Sequence, residues 1–460
     1  MTLADIAAVV GGEVYADDAN AVVTAPAFRD SRAVEPGGLF VAIEGERVDG
    51  HDYAAQAVKD GAVAALVRHR VEAPCVVVAD PVVALGQLAA HVRSALHDVV
   101  VVGITGSQGK TSTKDLIGQV LEAAGPTVAT TGSLNNEIGT PLTVLRAGPS
   151  TRFLVVEMGA RGRGHIHYLS SMAKPSIGTV LNVGVAHIGE FGSKADIAVA
   201  KGELVEDLPS SGVAVLNRDD PLVDAMRTRT AARVLTFGTA PDADVRVVDP
   251  YLDDDGHISF TLEVDGRRHH LDLALVGLHQ ASNAAAAAAT ALACGLSIET
   301  VVRALATAET RSRWRMELVE TPAGVLVLND AYNANPDSMR AALHTLADLG
   351  SRRPGSRTVA VLGEMLELGD AADDEHDALG RLAASLGIDV LVVVGESART
   401  LHAGAVAMPG WGGEALWASD VDVASATVAS VVRPGDIVLV KASRAVGLER
   451  VAEALVRTSP

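Results

Sequence analysis

The 460-residue sequence is poor in cysteine, in positive charge and in long apolar runs, and each shortage narrows what the chain can be. Its two cysteines, Cys75 and Cys294, lie in apolar surroundings, so buried thiols are expected rather than a disulfide framework. Lys plus Arg number 38 against 57 Asp plus Glu, a net charge of −19 that argues against a nucleic-acid-binding surface. That average leaves room for a nucleotide held by one local loop. The longest uncharged stretch, residues 275–298, is Ala-rich and broken by His279, Asn283 and Gly295. Alanine is a weak membrane residue, so a soluble helix is expected there and no membrane insertion. The N-terminal MTLADIAAVV has no basic region and carries Asp5, so no signal peptide is expected, and the chain reads as a soluble cytoplasmic protein. With 48% apolar and 21% charged residues it has ample material for a core, and its length suggests about three domains.

What is present is most informative at residues 99–115, VVVVGITGSQGKTSTKD. An uncharged Val-rich run, the pattern of a buried strand, stops at a Gly-rich turn that runs into a helix-competent stretch. Backbone amides gathered at a helix N-terminus suit a phosphate. Lys110 would reach the outer phosphates and the Thr111 hydroxyl a Mg²⁺ ion. The spacing departs from the Walker pattern G-x-x-x-x-G-K-[ST]: the segment is Thr105-Gly106-Ser107-Gln108-Gly109-Lys110-Thr111, a shorter form.

Strand–helix alternation continues downstream. Strands are expected at residues 153–157, 177–182 and 213–217, a hairpin insert at 245–264 turning on residues 253–256, and a helix at 284–293. A further set follows at 325–329, 358–362, 390–394 and 437–440. The expected fold class is α/β, with parallel sheets whose ligands bind at strand C-terminal ends. Three domains are expected, at residues 1–98, 99–311 and 312–460.

Several polar positions fall at those strand ends. Glu157 ends an apolar strand and, with Thr111, offers two hard oxygen ligands for Mg²⁺. His187 follows another strand end. Lys201, judged from its local sequence alone, is an exposed helix lysine. Asn135 and Asn136 lie in a Gly/Pro-marked loop that can serve a polar substrate or simply turn the chain. Asn283 is either a helix N-cap or an amide for adenine. Asp330, Tyr332, Asn333 and Asn335 form a dense polar loop after a strand, and Arg313 and Arg315 flank Trp314, two arginines that suit phosphoryl charge at a domain junction or simply belong to a solvated linker.

Taken together, these stretches resemble the Mur ligase family, the ATP-dependent amide-forming enzymes of peptidoglycan synthesis. The matching elements run from Asp30-Ser31-Arg32 to Lys441-Ala442-Ser443-Arg444, nearly the whole chain. Within the family, NDAYNANPDSM, VLGEMLELG and SRAVEPGGLFVAIEGERVDGHDY resemble the members that join D-alanyl-D-alanine to UDP-N-acetylmuramoyl-tripeptide. The resemblance implies a small UDP-substrate domain holding Ser31 and Arg32, a central ATPase domain and a Rossmann-like C-terminal domain. It also implies a reaction: ATP phosphorylates the tripeptide carboxylate, and the dipeptide amine displaces phosphate from the acyl phosphate. By the same resemblance Lys110 and the loop residues Thr105 to Thr111 hold ATP, and Thr111 and Glu157 hold one Mg²⁺. His187 holds a second ion. Lys201 is implied to be a carbamylated metal ligand, which reverses its bland local reading. Asn283 is implied to contact adenine, Asp330 the ribose and Arg315 the γ-phosphate, while Asn135, Asn136, Tyr332, Asn333 and Asn335 face the substrates. The chain departs from the family in having Gln280 where His-Asn is frequent, and Ala331 where Asp-Asp-Ser is frequent. A monomer is expected. The nearest alternatives are a sister ligase adding one amino acid and a non-ligase ATP switch. A ligase for a diamino acid would carry an Asp-Asn-Pro-Arg-like loop, which this sequence lacks.

Overall fold

The computed structural model describes residues 1–45, 48–184 and 188–457, which build three separate sheets. The first is five-stranded, in the order Glu13–Tyr15, Cys75–Val77, Ala64–Val67, Leu39–Val41 and Ala27–Phe28; only its first pair is antiparallel. Helix Pro81–Ala95 follows it, and Arg93 ties the connection down by donating to the carbonyls of Ala173 and Leu96.

The second sheet has nine strands. Seven run parallel, from Thr127–Ala129 at one edge through Phe153–Glu157, Val100–Thr105, Ile177–Val180, Val213–Asn217 and Arg233–Gly238 to Val245–Leu252. Two antiparallel strands, His257–Val264 and Arg267–Val276, complete it. Every residue of Phe153–Glu157 is buried, as expected of a parallel strand covered on both faces. Helix His279–Ala293 lies on this sheet beside helix Lys110–Glu122; its alanines let the two helices approach closely within one core.

The third sheet follows the order Glu317–Glu320, Leu326–Asn329, Ile437–Lys441, Thr358–Gly363, Val390–Val394 and Glu414–Ala418, parallel except at the first pair.

The expected strands at residues 153–157, 213–217 and 390–394 form with those boundaries. Three details differ. The strand starting at Ile177 ends at Val180, because Asn182 leaves the sheet to bind the phosphate loop. The helix expected from residue 284 starts at His279, which places Asn283 in its second turn and removes the N-cap reading. The hairpin insert gains a third strand, Arg267–Val276, whose polar start Arg267-Arg268-His269-His270 hid its alternation. Among the described residues no helix is long and apolar enough to cross a membrane.

Candidate active site

Strand ends from the second and third sheets face one polar cavity of about 670 Å³, which Arg29 of the first sheet also lines. Its floor is the loop between strand Val100–Thr105 and helix Lys110–Glu122. Gly109 turns the chain at φ 77°, where a side chain would be strained and would meet Asn283 Oδ1 at 2.7 Å. The amides of the helix's first turn have no intrahelical acceptor and are available to a ligand.

Not all of the loop is free. The amides of Ser107 and Gln108 both donate to Asn182 Oδ1, at 2.9 and 3.0 Å, and Asn182 Nδ2 donates back to the Gln108 carbonyl at 3.2 Å. Ser107 Oγ accepts from the Gly184 amide at 2.8 Å. These contacts hold the loop's shape, so Ser107 and Gln108 present backbone already in use. Thr105 is fully buried, and its hydroxyl donates to the Met158 carbonyl, which gives it a structural place beneath the site. Gly106 offers its carbonyl to Lys110 Nζ at 2.8 Å. Replacing Asn182 with Ala should cost about 1–3 kcal/mol, the penalty for leaving the part-buried Gln108 amide unpaired while Ser107 N–H keeps the main-chain carbonyl of residue 182, read as a lowered urea midpoint. An unchanged midpoint would remove its role as the loop's clamp.

Lys110 is half-buried, and loss of water around its ammonium pushes its pKa down; the Glu157 carboxylate opposes that shift and the Arg315 charge adds to it. Glu157 is 1% exposed. Its Oε1 accepts from Asn135 Nδ2 at 2.7 Å, and its amide donates to Thr130 Oγ1 at 3.0 Å. Its other oxygen, Oε2, is buried and has no partner among the described residues. A buried carboxylate oxygen without a donor is costly unless something cationic completes it. Lys201, on helix Lys194–Glu206, lines the same cavity at 4% exposure; the exposed position suggested by its local sequence alone, already reversed by the family resemblance, is not what the fold gives it. Burial pushes its pKa well below the ordinary lysine value, and the neighbouring Lys110 charge adds to the shift. His187 lies outside the described residues.

The third sheet supplies the roof. Arg315 stacks over the Tyr332 ring at 4.1 Å and donates to Ser133 Oγ at 2.8 Å; Ser133 in turn sits 2.6 Å from Thr111 Oγ1. Trp314 and Met316, on either side of Arg315, have φ of 58° and 52°, conformations that cost non-glycine residues roughly 1–2 kcal/mol each. The turn is held because Arg313 and Arg444 both lie over the Trp314 ring and Met316 N–H donates to Asp330 Oδ1. Asp330 is not a free carboxylate: its Oδ2 pairs with the buried Lys441 ammonium at 2.6 Å. Asn283 bridges Thr113 Oγ1 and Gln280 Oε1, so Gln280 fills the helix position in doubt by orienting Asn283.

Of the other expected residues, Asn135, Asn136, Tyr332, Asn333 and Asn335 line the cavity. Asn136 and Asn335 also cap helices, through Gly139 N–H and Ser338 N–H. Ser31 and Arg32 are not among the lining residues. Arg32 turns back on Asp30, whose carboxyl it holds down at about 2, and Arg29 faces the cavity instead. Sequence reasoning missed Asn182, Ser133, Gln280 as a partner of Asn283, and Arg29.

Three α/β units share one polar cavity, with a glycine-rich strand-to-helix loop at its floor whose helix-start amides suit a phosphate. The chain belongs to the Mur ligase family. Residues 29–93 match the Mur ligase family catalytic domain, 104–291 the Mur ligase middle domain and 314–444 the Mur ligase glutamate ligase domain. It is 46% identical to the UDP-N-acetylmuramoyl-tripeptide–D-alanyl-D-alanine ligase of Mycobacterium tuberculosis strain H37Rv, covering 99% of this chain and 98% of that one. With the enzyme of the same name from Escherichia coli K12 it shares 36% identity over 87% of each chain. Its fold is similar to a crystal structure of MurF from Acinetobacter baumannii (TM-score 0.87, 32% identity, 99% of each chain). It is also similar to the MurF ligase of Thermotoga maritima in complex with ADP (TM-score 0.80, 30% identity, 95% of this chain and 98% of that one).

Proposed function

We propose that this protein is an ATP-dependent ligase that joins D-alanyl-D-alanine to UDP-N-acetylmuramoyl-tripeptide through an acyl phosphate. The observation that carries this reading is the end-to-end 46% identity to a ligase of that name. Agreement across all three units matters, because the three have to supply the nucleotide site, the peptide site and the closing arginine together. We also propose the unit boundaries at 98/99 and 311/312.

A carboxylate is a poor electrophile, and phosphorylation gives it a leaving group. Phosphoryl transfer asks the protein for charge neutralisation and alignment more than for a nucleophilic side chain. The first-turn amides of helix Lys110–Glu122 and Lys110 take the nucleotide's phosphates at the floor. Arg315, held over Tyr332 and against Ser133, brings positive charge from the roof to the γ-phosphate. Asn283 is placed against the loop for the adenine, and Asp330 for the ribose, its carboxylate fixed by Lys441. The partnerless Glu157 oxygen and the Thr111 hydroxyl fit a hard divalent cation and would hold Mg²⁺, His187 would hold a second ion, and the Lys201 carbamate would be a further metal ligand. Mg²⁺ would supply charge neutralisation on the phosphates. Asn135, Asn136, Tyr332, Asn333 and Asn335 face the peptide substrates.

The test is phosphate release from ATP and purified UDP-N-acetylmuramoyl-tripeptide, with D-alanyl-D-alanine against single amino acids. Sustained release should require the dipeptide. Equal turnover with a single amino acid would indicate a sister ligase, and ATP turnover indifferent to any peptide would indicate a switch. ADP at one hundred times its Kd should stabilise the fold by about 2.7 kcal/mol, readable as a rise in Tm; no shift at saturating ADP would overturn the nucleotide site.

A further inference from the structure

We infer that Arg161 is the counter-ion for a non-reacting carboxylate of a peptide substrate, a role that rests on the ligase reading above. Four residues beyond Glu157, Arg161 lines the cavity in an exposed position. Its guanidinium forms no hydrogen bond or ion pair with any described residue, whereas the other cations around the cavity are occupied or differently placed. Lys441 is paired with Asp330, and Arg315, bonded to Ser133, stacked on Tyr332 and with its Nε unpartnered among the described residues, is the cation already proposed for the nucleotide. Lys110 is half-buried and Lys201 buried at the floor, while Arg29 enters from just past the first sheet's edge strand. Next to Arg161, Arg163 is already paired, with Asp196.

The backbone that carries Arg161 is fixed on both sides. Gly159 N–H donates to the Asn135 carbonyl at 2.8 Å, and Arg161 N–H donates to His165 Nδ1 at 3.3 Å. Because Nδ1 accepts, the ring proton sits on Nε2, where it meets Glu137 Oε2 at 3.2 Å. Glu203 accepts from the amides of Gly164 and His167, so the end of the loop is also tied to the helix that carries Lys201. A rigid backbone that presents an unpaired guanidinium to a cavity is suited to bidentate capture of a carboxylate. In a chain of net charge −19 such a cation concentrates attraction where an anionic peptide has to settle. The incoming dipeptide has a terminal carboxylate, and the tripeptide has carboxylates besides the one that reacts.

The test is steady-state kinetics of Arg161→Gln and Arg161→Lys, varying each peptide in turn. Arg161→Gln should raise KM for one of the two peptides by about 10- to 100-fold, the range of a charge-assisted hydrogen bond, with KM for ATP and Tm unchanged. Arg161→Lys should recover part of the loss. A dipeptide role predicts that the wild type discriminates between D-alanyl-D-alanine and its C-terminal amide by a similar factor, while Arg161→Gln treats the two alike. A tripeptide role predicts the same equalisation for a precursor amidated at a non-reacting carboxylate. Unchanged KM for both peptides, or a change confined to ATP, would overturn the assignment. Wild-type turnover that ignores the dipeptide would instead overturn the ligase reading.

Discussion

Replacing Lys110 with Ala should lower kcat by at least ~10²-fold, the scale seen when one preorganised charge-stabilising donor is removed, and should leave the fold intact. The ammonium sits over the loop it serves, 2.8 Å from the Gly106 carbonyl. It needs no rearrangement to meet phosphate charge that grows during transfer. Alanine is a good residue at the start of a helix, so local structure survives. The pKa direction adds a second readout. Burial lowers the folded-state pKa below that of the unfolded chain, so the charged lysine opposes folding. That penalty is fully present below the folded pKa and disappears above the unfolded value near 10.5. Lys110→Ala should therefore keep or raise Tm at neutral pH while activity collapses. Near-normal turnover would sink the phosphate-loop assignment; lost activity with a lost fold would leave it undecided between packing and chemistry, and Lys110→Met, which keeps the aliphatic stem, separates the two.

Much of the fold was legible because parallel strands are buried on both faces and so read as uncharged Val/Leu/Ile runs. Phe153–Glu157 and Val390–Val394 are such runs, and their C-terminal ends mark where polar residues have work to do. Glu157 could be placed in this way. The residues that set its orientation could not. Thr130 and Asn135 reach Glu157 from 27 and 22 residues away, and Asn182 clamps a loop 75 residues before it. Side-chain hydrogen bonds over such separations, to backbone or to other side chains, leave no periodic trace in the sequence. The turn around Arg315 was hidden for another reason. Positive φ at Trp314 and Met316 runs against local preference and survives only because Arg313, Arg444 and Asp330 hold it from outside. Lys201 misled in the opposite direction. Its neighbours along the helix are mixed in polarity, so its local sequence suggests exposure; the family resemblance reverses that reading, and the fold buries the side chain.

That burial makes Lys201→Ala the most discriminating variant. An amine with a pKa well below 10.5 is neutral, and so nucleophilic, over much more of the pH range than a surface lysine. It can then attack carbon dioxide: the new N–C bond forms, one N–H proton is lost to solvent, and the product is a carbamate anion. An anion fits the charge around it, since Lys110 is the neighbour that disfavours the ammonium. No hydrogen bond or ion pair with a described residue holds the amine as it stands. Lys201→Ala should be inactive, with kcat restored in part by millimolar formate or acetate, whose carboxylate can occupy the vacated space. The wild-type enzyme supplied with ¹³C-labelled bicarbonate should give a carbamate carbon signal that the variant lacks. In buffer freed of carbon dioxide, where Lys201 is a free amine whose protonation opposes folding, the wild type's Tm should depend more on pH between neutrality and pH ~10 than the variant's. A folded variant with no rescue, together with a wild type lacking the labelled carbon, would reduce Lys201 to a packing residue and remove it from the proposed metal ligands.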